Sequence, residues 1–287
     1  MIIDYLTSLA INVYMLSLIY LGILTYWYPM LSIIVMLMLG ITLRHDSSEA
    51  HFTSFGKAIN RYMDEKFIGW KAYHTSQIKE GEKERKNGGI IYACHPHGIL
   101  PCSMFHFANR GIPVVADYGM LKGIISPFPL KWHGFVDNRR ETLVKTIQEY
   151  GNLLLYPGGA DELCLVTGNR KKFNVFMRTG FIRLAIEKGY TIVPVLAPAE
   201  EEAYTPFMIG WSKFKHYIWK KLKITLGMHH GRYWLMTVPR RITDPCIYYG
   251  NPIVCKSTDT VEDVNVKYME EIARLAELAK VDIKILC

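Results

Sequence analysis

From residue 5 to residue 43 the chain carries no Asp, Glu, Lys or Arg, and no other feature constrains its folding so strongly. Thirty-nine uncharged, mostly apolar residues at one end of a chain are hard to bury in a globular core. Residues 6–27 alone reach roughly 33 Å as a helix at about 1.5 Å per residue, enough to cross a bilayer core of about 30 Å. Pro29 breaks the pattern, and residues 31–43 extend only about 20 Å as a helix. The sequence therefore predicts a membrane anchor over residues 1–44, either one span with a trailing interfacial segment or a re-entrant hairpin. Residues 45–287 follow as one body. All 34 Lys and Arg lie from Arg44 onward, which places that body on the cytosolic side. No Lys or Arg and no small-residue cleavage site mark the apolar run as a cleaved leader.

The remaining length suits a single large domain. A net charge of +8 fits a body lying against anionic headgroups. Nothing in the sequence resembles a groove-reading module, so nucleic acid is not expected as a partner. The six cysteines, Cys94, Cys102, Cys164, Cys246, Cys255 and Cys287, are scattered without paired zinc spacing and read as reduced core residues. No metal is expected.

The body alternates strand and helix signals. "SFGKAINRYMDEKF" suits a short amphipathic helix, and residues 79–89, "KEGEKERKNGG", a solvated loop ending in a turn. "IIYAC", "IPVVADY", "NLLLY" and "TIVPVLA" read as strands, and "CIYYGNPIV" as a late strand and turn. A helix is predicted over 138–150, capped by Asn138 with Glu141 as its capping-box partner. A second is predicted over 174–188, closed by Gly189. A third, over 261–280, turns Tyr268, Met269, Ile272, Leu275, Ala276 and Ala279 inward. This is the pattern of an α/β fold with a mainly parallel sheet flanked by helices. Such sheets place their sites beyond the carboxyl ends of the strands.

Two chemistry-bearing elements stand at predicted strand ends. His95 and His97 flank Pro96 and precede Gly98. Imidazole is the side chain best poised to take a proton near neutral pH, so one ring suits a base and the other an orienting or binding group. A hydrogen-bonded structural pair is the plainer alternative. A zinc set of Cys94, His95, His97 and Cys102 is too crowded for usual ligand spacing. In "LYPGGADEL", Gly158 and Gly159 after Pro157 expose backbone N–H groups suited to an oxyanion, with Glu162 in the first turn of a helix. A bare turn would also explain them. Further on, Arg178 and Arg183 are available to an acidic ligand and Gly180 to a close approach, unless this is an ordinary helix and core strand.

Taken in order, these elements carry a resemblance. His95-Pro96-His97-Gly98, Pro157-Gly158-Gly159-Ala160 with Glu162, "RTGFIRLAIEKGYTIVPV" at 178–195, Glu200, and "YGNPI" at 249–253 resemble the type-2 diacylglycerol acyltransferase family. That family also holds monoacylglycerol and wax-alcohol acyltransferases. The similarity spans roughly residues 88–280.

The resemblance implies a glycerolipid-acyltransferase-like fold and acyl-CoA-dependent O-acyl transfer to a neutral lipid. Diacylglycerol to triacylglycerol stands first, with monoacylglycerol or a fatty alcohol as other acceptors. A non-catalytic membrane lipid-binding protein is the rival reading. Acyl-CoA is a co-substrate and no further cofactor is implied. The implied setting is the endoplasmic reticulum membrane or lipid droplet, with membrane lipid as a partner and room for a homo-oligomer.

The site expected from the resemblance has His97 as general base, steered by His95, and attack directly on the thioester. Leu100 and Cys102 stand where related glycerolipid enzymes carry an orienting Asp, so Glu162 is the expected orienting group. Gly98, Pro157, Gly158, Gly159, Arg178, Gly180 and Glu200 are expected at the substrate. The loop 157–162 carries two acids and no cation, which disfavours a phosphate-bearing acceptor. An acyl-enzyme on Cys94 or Cys102 is the covalent alternative.

Overall fold

The computed structural model describes residues 49–74, 88–117, 121, 133–206, 211–222, 229–232 and 239–286. The expected anchor, residues 1–44, and most of the 79–89 loop lie outside the described residues. Among the described residues no helix is long and apolar enough to cross a membrane.

In chain order the strands are β1 Lys71–His74, β2 Ile90–His95, β3 Val114–Ala116, β4 Phe135–Asp137, β5 Asn152–Leu155, β6 Lys172–Phe176 and β7 Thr191–Leu196. They continue as β8 Thr205–Pro206, β9 His229–His230, β10 Cys246–Tyr249, β11 Ile253–Val254 and β12 Asp282–Leu286. The α-helices are α1 Ser54–Arg61, α2 Met104–Asn109, α3 Arg140–Tyr150, α4 Gly159–Leu165, α5 Gly180–Lys188, α6 Ser212–Leu222 and α7 Val261–Ala279. A π-helical stretch, Tyr62–Ile68, continues α1, so the expected single helix changes its winding midway.

The main sheet runs β1-β10-β7-β2-β5-β3-β4, with β11 also pairing β7. Strands β7, β2, β5, β3 and β4 are mutually parallel. Strand β10 runs antiparallel to β7. All six residues of β2 and all four of β5 are buried. Parallel strands covered on both faces need such continuous apolar runs. Alternate residues of β2 supply separate layers. Ile90, Tyr92 and Cys94 join Phe107 of α2 on one face, while Ile91 and Ala93 join Ile182 of α5 and Tyr268 and Ile272 of α7 on the other. The Tyr268 hydroxyl donates to the Ala93 carbonyl at 3.1 Å and ties α7 to the central strand.

Three local expectations are corrected. Helix α3 begins at Arg140 with Arg139 as N-cap, and no side chain caps it. The Asn138 amide donates instead to Asp117, while Asp137 accepts from the Arg139 backbone and side chain. Residues 172–176 form β6 rather than the start of a helix, because their alternating burial pairs them in parallel with β12. Strand β12 itself lies beyond the last element read from the sequence. Helix α5 starts only at Gly180, and Gly189 closes it as expected with φ +67°.

Candidate active site

The three central strands β5, β2 and β7 end side by side, and the loops that leave them hold the chemistry. The chain after β5 turns through Pro157 and Gly158 into α4. Helix α4 aims successive side chains in different directions, about 100° apart. Glu162 points inward to the end of β2. Its Oε1 accepts from His95 Nδ1 at 2.5 Å and from the Phe176 backbone N–H at 2.9 Å. Its Oε2 accepts from the His97 backbone N–H at 2.7 Å. All three neighbours are donors, so the protein rather than water solvates this buried carboxylate.

With Nδ1–H committed to Glu162, the His95 lone pair sits on Nε2. That atom is buried and has no hydrogen-bond partner among the described residues. His97 sits differently. It is partly exposed, its Nδ1 donates to the Gly98 carbonyl at 3.0 Å, and its ring meets Tyr156 edge-on at 5.3 Å. Burial lowers its pKa despite the Gly98 bond and the nearby Glu162 charge, so the ring is held neutral.

Glycines make the closure fit. A methyl on Gly158 would overlap the Glu162 carboxyl group. Gly98 sits at φ +63°, and a methyl there would come within 3.1 Å of the Glu200 carbonyl oxygen, tighter than ordinary contact, so its missing side chain serves a close approach of two loops. Gly159 donates its N–H to the Tyr156 carbonyl at 3.1 Å, which occupies one of the two expected oxyanion donors.

The neighbouring acid faces the other way. Asp161 is buried, yet it pairs with Arg178, with His216 at 2.8 Å and with Lys220 at 3.3 Å. Burial alone would raise its pKa, but the hydrogen bonds from Arg178 and His216 and the two cationic charges hold it below the ordinary value.

Residues 23–285 match the family model described as "Diacylglycerol acyltransferase". The chain belongs to the diacylglycerol acyltransferase family. It is 26% identical over 181 residues to diacylglycerol O-acyltransferase 2B of Umbelopsis ramanniana, covering 56% of this chain and 51% of that protein. It is 22% identical over 242 residues to human diacylglycerol O-acyltransferase 2, covering 74% and 62% respectively. Human 2-acylglycerol O-acyltransferase 1 is 22% identical over 251 residues, with 72% and 70% covered. The chain thus spans between about half and two thirds of the length of the first two relatives. No solved structure matches it.

Within this member of the acyltransferase family, His95, His97, Pro157, Gly158 and Glu162 gather at the strand ends. Arg178 is half-exposed on Asp161, and Gly180 faces open space at the start of α5. Glu200 is the last of the residues expected at the substrate. It is buried behind the histidine loop, where Oε2 accepts from the Cys102 N–H at 2.7 Å and Oε1 from the Ser103 N–H. Burial raises its pKa to about 8. The next residue, Glu201, bridges to the turn after α4. Its Oε2 accepts from Thr167 at 2.9 Å and Gly168 at 3.1 Å, and burial raises its pKa to about 7.

The electrostatic expectation for the Pro-Gly-Gly loop also changes. Asp161 pairs with the cationic Arg178 and Lys220 and with His216, and Glu162 accepts from three N–H donors, so the loop presents less free negative charge than its sequence suggests. The partners of Glu201 and Asp161 leave no signal in the sequence, because adjacent acids look like solvated surface. Their roles emerge only from partners distant in the chain.

The two cysteines beside the histidines do not suit nucleophilic chemistry. Burial pushes the Cys94 and Cys102 thiols well above their ordinary pKa, with the Glu200 charge adding to it. Among the described residues no cluster of His, Cys, Asp and Glu is arranged to hold a metal ion. A second buried pair, His106 with Asp64 at 3.0 Å, joins the 62–68 stretch to α2. Asp64 also binds Asn109 and Arg110, which gives that pair a packing role away from the strand ends.

Proposed function

We propose that the chain transfers a fatty acyl group from coenzyme A to the hydroxyl of a neutral acylglycerol, with diacylglycerol as the acceptor and triacylglycerol as the product. The observation that carries this reading is the buried His95–Glu162 pair, with His95 Nε2 left unpartnered at the end of the central parallel strand. Family membership supplies the reaction class, and the named relatives include enzymes whose names specify diacylglycerol and 2-acylglycerol.

The geometry favours His95 over His97 as the base, reversing the roles expected from the resemblance. Glu162 is the positioning residue that fixes the tautomer. His95 Nε2 takes the hydroxyl proton as the acceptor oxygen attacks the thioester carbonyl. The C–S bond then breaks, the ester forms, and the thiolate leaves as the thiol with the proton that His95 received. Partly exposed His97 lines the approach. The Gly158 N–H is the oxyanion donor candidate, a contribution worth about 3 kcal/mol. The anchor over residues 1–44 keeps the body at the lipid phase on the endoplasmic reticulum, where the acceptor resides. Acyl-CoA is the sole co-substrate.

Purified chain in lipid micelles, given one labelled acyl-CoA and separate acceptors, tests this. Free coenzyme A and labelled triacylglycerol should appear together with diacylglycerol present. No thiol release with any uncharged acceptor would remove the enzymatic reading and leave a lipid-binding protein. Faster ester formation on a monoacylglycerol or fatty alcohol would reassign the acceptor.

A further inference from the structure

Helix α6 is fixed on one side and bare on the other. Inward, Lys215 is buried, and His216 and Lys220 reach Asp161. Outward stand Trp211, Phe214 and Tyr217, exposed by 54%, 45% and 56%. Their spacing of three sets them along one flank of the helix. Trp211 meets Phe214 edge-on at 5.6 Å, and the Lys221 ammonium lies 5.8 Å from the Tyr217 ring centre. From 211 to 221, every residue described as exposed is aromatic or lysine: Trp211, Lys213, Phe214, Tyr217, Lys220 and Lys221. The helix contains no acid.

Two kinds of partner could cover such a face, and composition separates them. The cores of protein–protein interfaces are depleted in lysine. Bilayer interfaces take aromatic rings at headgroup level and lysines against anionic phosphates. We propose that this face of α6 is a docking surface for an anionic phospholipid bilayer, with the three rings at the headgroup boundary and Lys213 and Lys221 among the phosphates. It is a second membrane contact, separate from the 1–44 segment. Asp161 ties α6 to α4, whose next residue, Glu162, holds His95. Lys220 also lies 5.5 Å from the ring centre of Phe176, whose N–H donates to Glu162. Docking of α6 therefore seats the strand-end site against the lipid phase.

The test uses the full chain in phosphatidylcholine vesicles, with and without phosphatidylserine, containing phosphatidylcholine with brominated chains. Subtracting the emission of a Trp211→Phe variant isolates Trp211. Lipid bromine is expected to quench that component, more strongly when phosphatidylserine is present. Replacing Lys213 and Lys221 by Gln should lower the docked fraction on phosphatidylserine vesicles by about fivefold per lysine, with unchanged thermal unfolding. Trp211 emission untouched by brominated lipid in chain that co-floats with the vesicles overturns the assignment, as it would if a second copy or an acidic protein were the true occupant. Quenching indifferent to both phosphatidylserine and the lysines overturns it as well. Since the readout involves no turnover, failure of the acyl-transfer reading leaves it standing.

Discussion

Gly158→Ala is a small perturbation aimed at one interaction. Gly158 sits at φ −72° and ψ −33°, where alanine is comfortable, so the backbone has no reason to object. The added methyl would lie well under 3.0 Å from Cγ, Cδ and Oε1 of Glu162, and ordinary contact begins near 3.4 Å. The carboxyl group must retreat by about an ångström, which breaks the 2.5 Å bond to His95 Nδ1. A misplacement of about 1 Å in a catalytic constellation costs about 100-fold, or about 2.7 kcal/mol of barrier. Turnover should therefore fall by about two orders of magnitude, with little change in KM for acyl-CoA. The assay is thiol release from acyl-CoA with diacylglycerol in micelles, paired with thermal unfolding to show that the variant is folded. Glu162→Gln provides the check if the alanine variant misfolds. Its amide turns an N–H₂ toward one of the existing donors, and its loss should be at least as large. Folded Gly158→Ala with turnover within about threefold of the parent would refute the positioning role of Glu162.

Three further outcomes follow from the same geometry. His95→Gln should lower turnover by about 10³-fold while His97→Ala leaves measurable turnover; the opposite ranking in thiol-release assays would move the base to His97. Asp161→Asn strips the shared counter-charge from Arg178, His216 and Lys220 and should destabilise the fold by about 2–3 kcal/mol, below the usual buried-pair loss because those partners are partly exposed. An unchanged denaturation midpoint would contradict that clamp. Glu201 binds more protons folded than unfolded between its ordinary 4.5 and about 7, so its contribution to stability falls as pH rises through that window, by up to about 3 kcal/mol. Glu201→Gln keeps an amide oxygen for Thr167 and Gly168 but does not titrate, so its unfolding temperature should decline less steeply there; identical slopes would count against this. Glu200, raised in the same direction to about 8, leaves a residual slope in either protein.

The elements legible in the sequence are those whose burial is symmetric or strongly periodic. Strands β2, β5 and β7 read as apolar runs because helices cover both faces of the sheet, and α7 reads from the regular return of Tyr268, Ile272, Leu275 and Ala276. Residues 174–176 of β6 pass for the start of a helix because a five-residue alternation means little until its partner is known. That partner, β12, follows about 110 residues later and pairs Lys172 with Asp282 through to Phe176 with Leu286. The Asn138 cap failed for a related reason. Asp117, 21 residues earlier, takes its amide, and Asp137 already turns the chain.

The site shows the same division between residue type and residue role. Two histidines beside a proline announce proton chemistry, but nothing local ranks them. The difference comes from Glu162, 67 residues downstream of His95, and from the missing side chain of Gly158 that lets its carboxyl reach back. The acids of α4 carry the point further. Read as letters, Asp161 and Glu162 form a negative loop that should turn phosphate away. Folded, they are neighbours rotated by about 100°, one gathering cations from α6 and from the strand–helix turn at Arg178, the other accepting three N–H bonds beneath the sheet end. Two adjacent carboxylates thus place a cationic rim outside and an oriented imidazole inside. Acceptor choice then rests little on loop charge; in the proposed reading it comes from how the acceptor lipid reaches His95 and from the α6 face proposed to meet the bilayer.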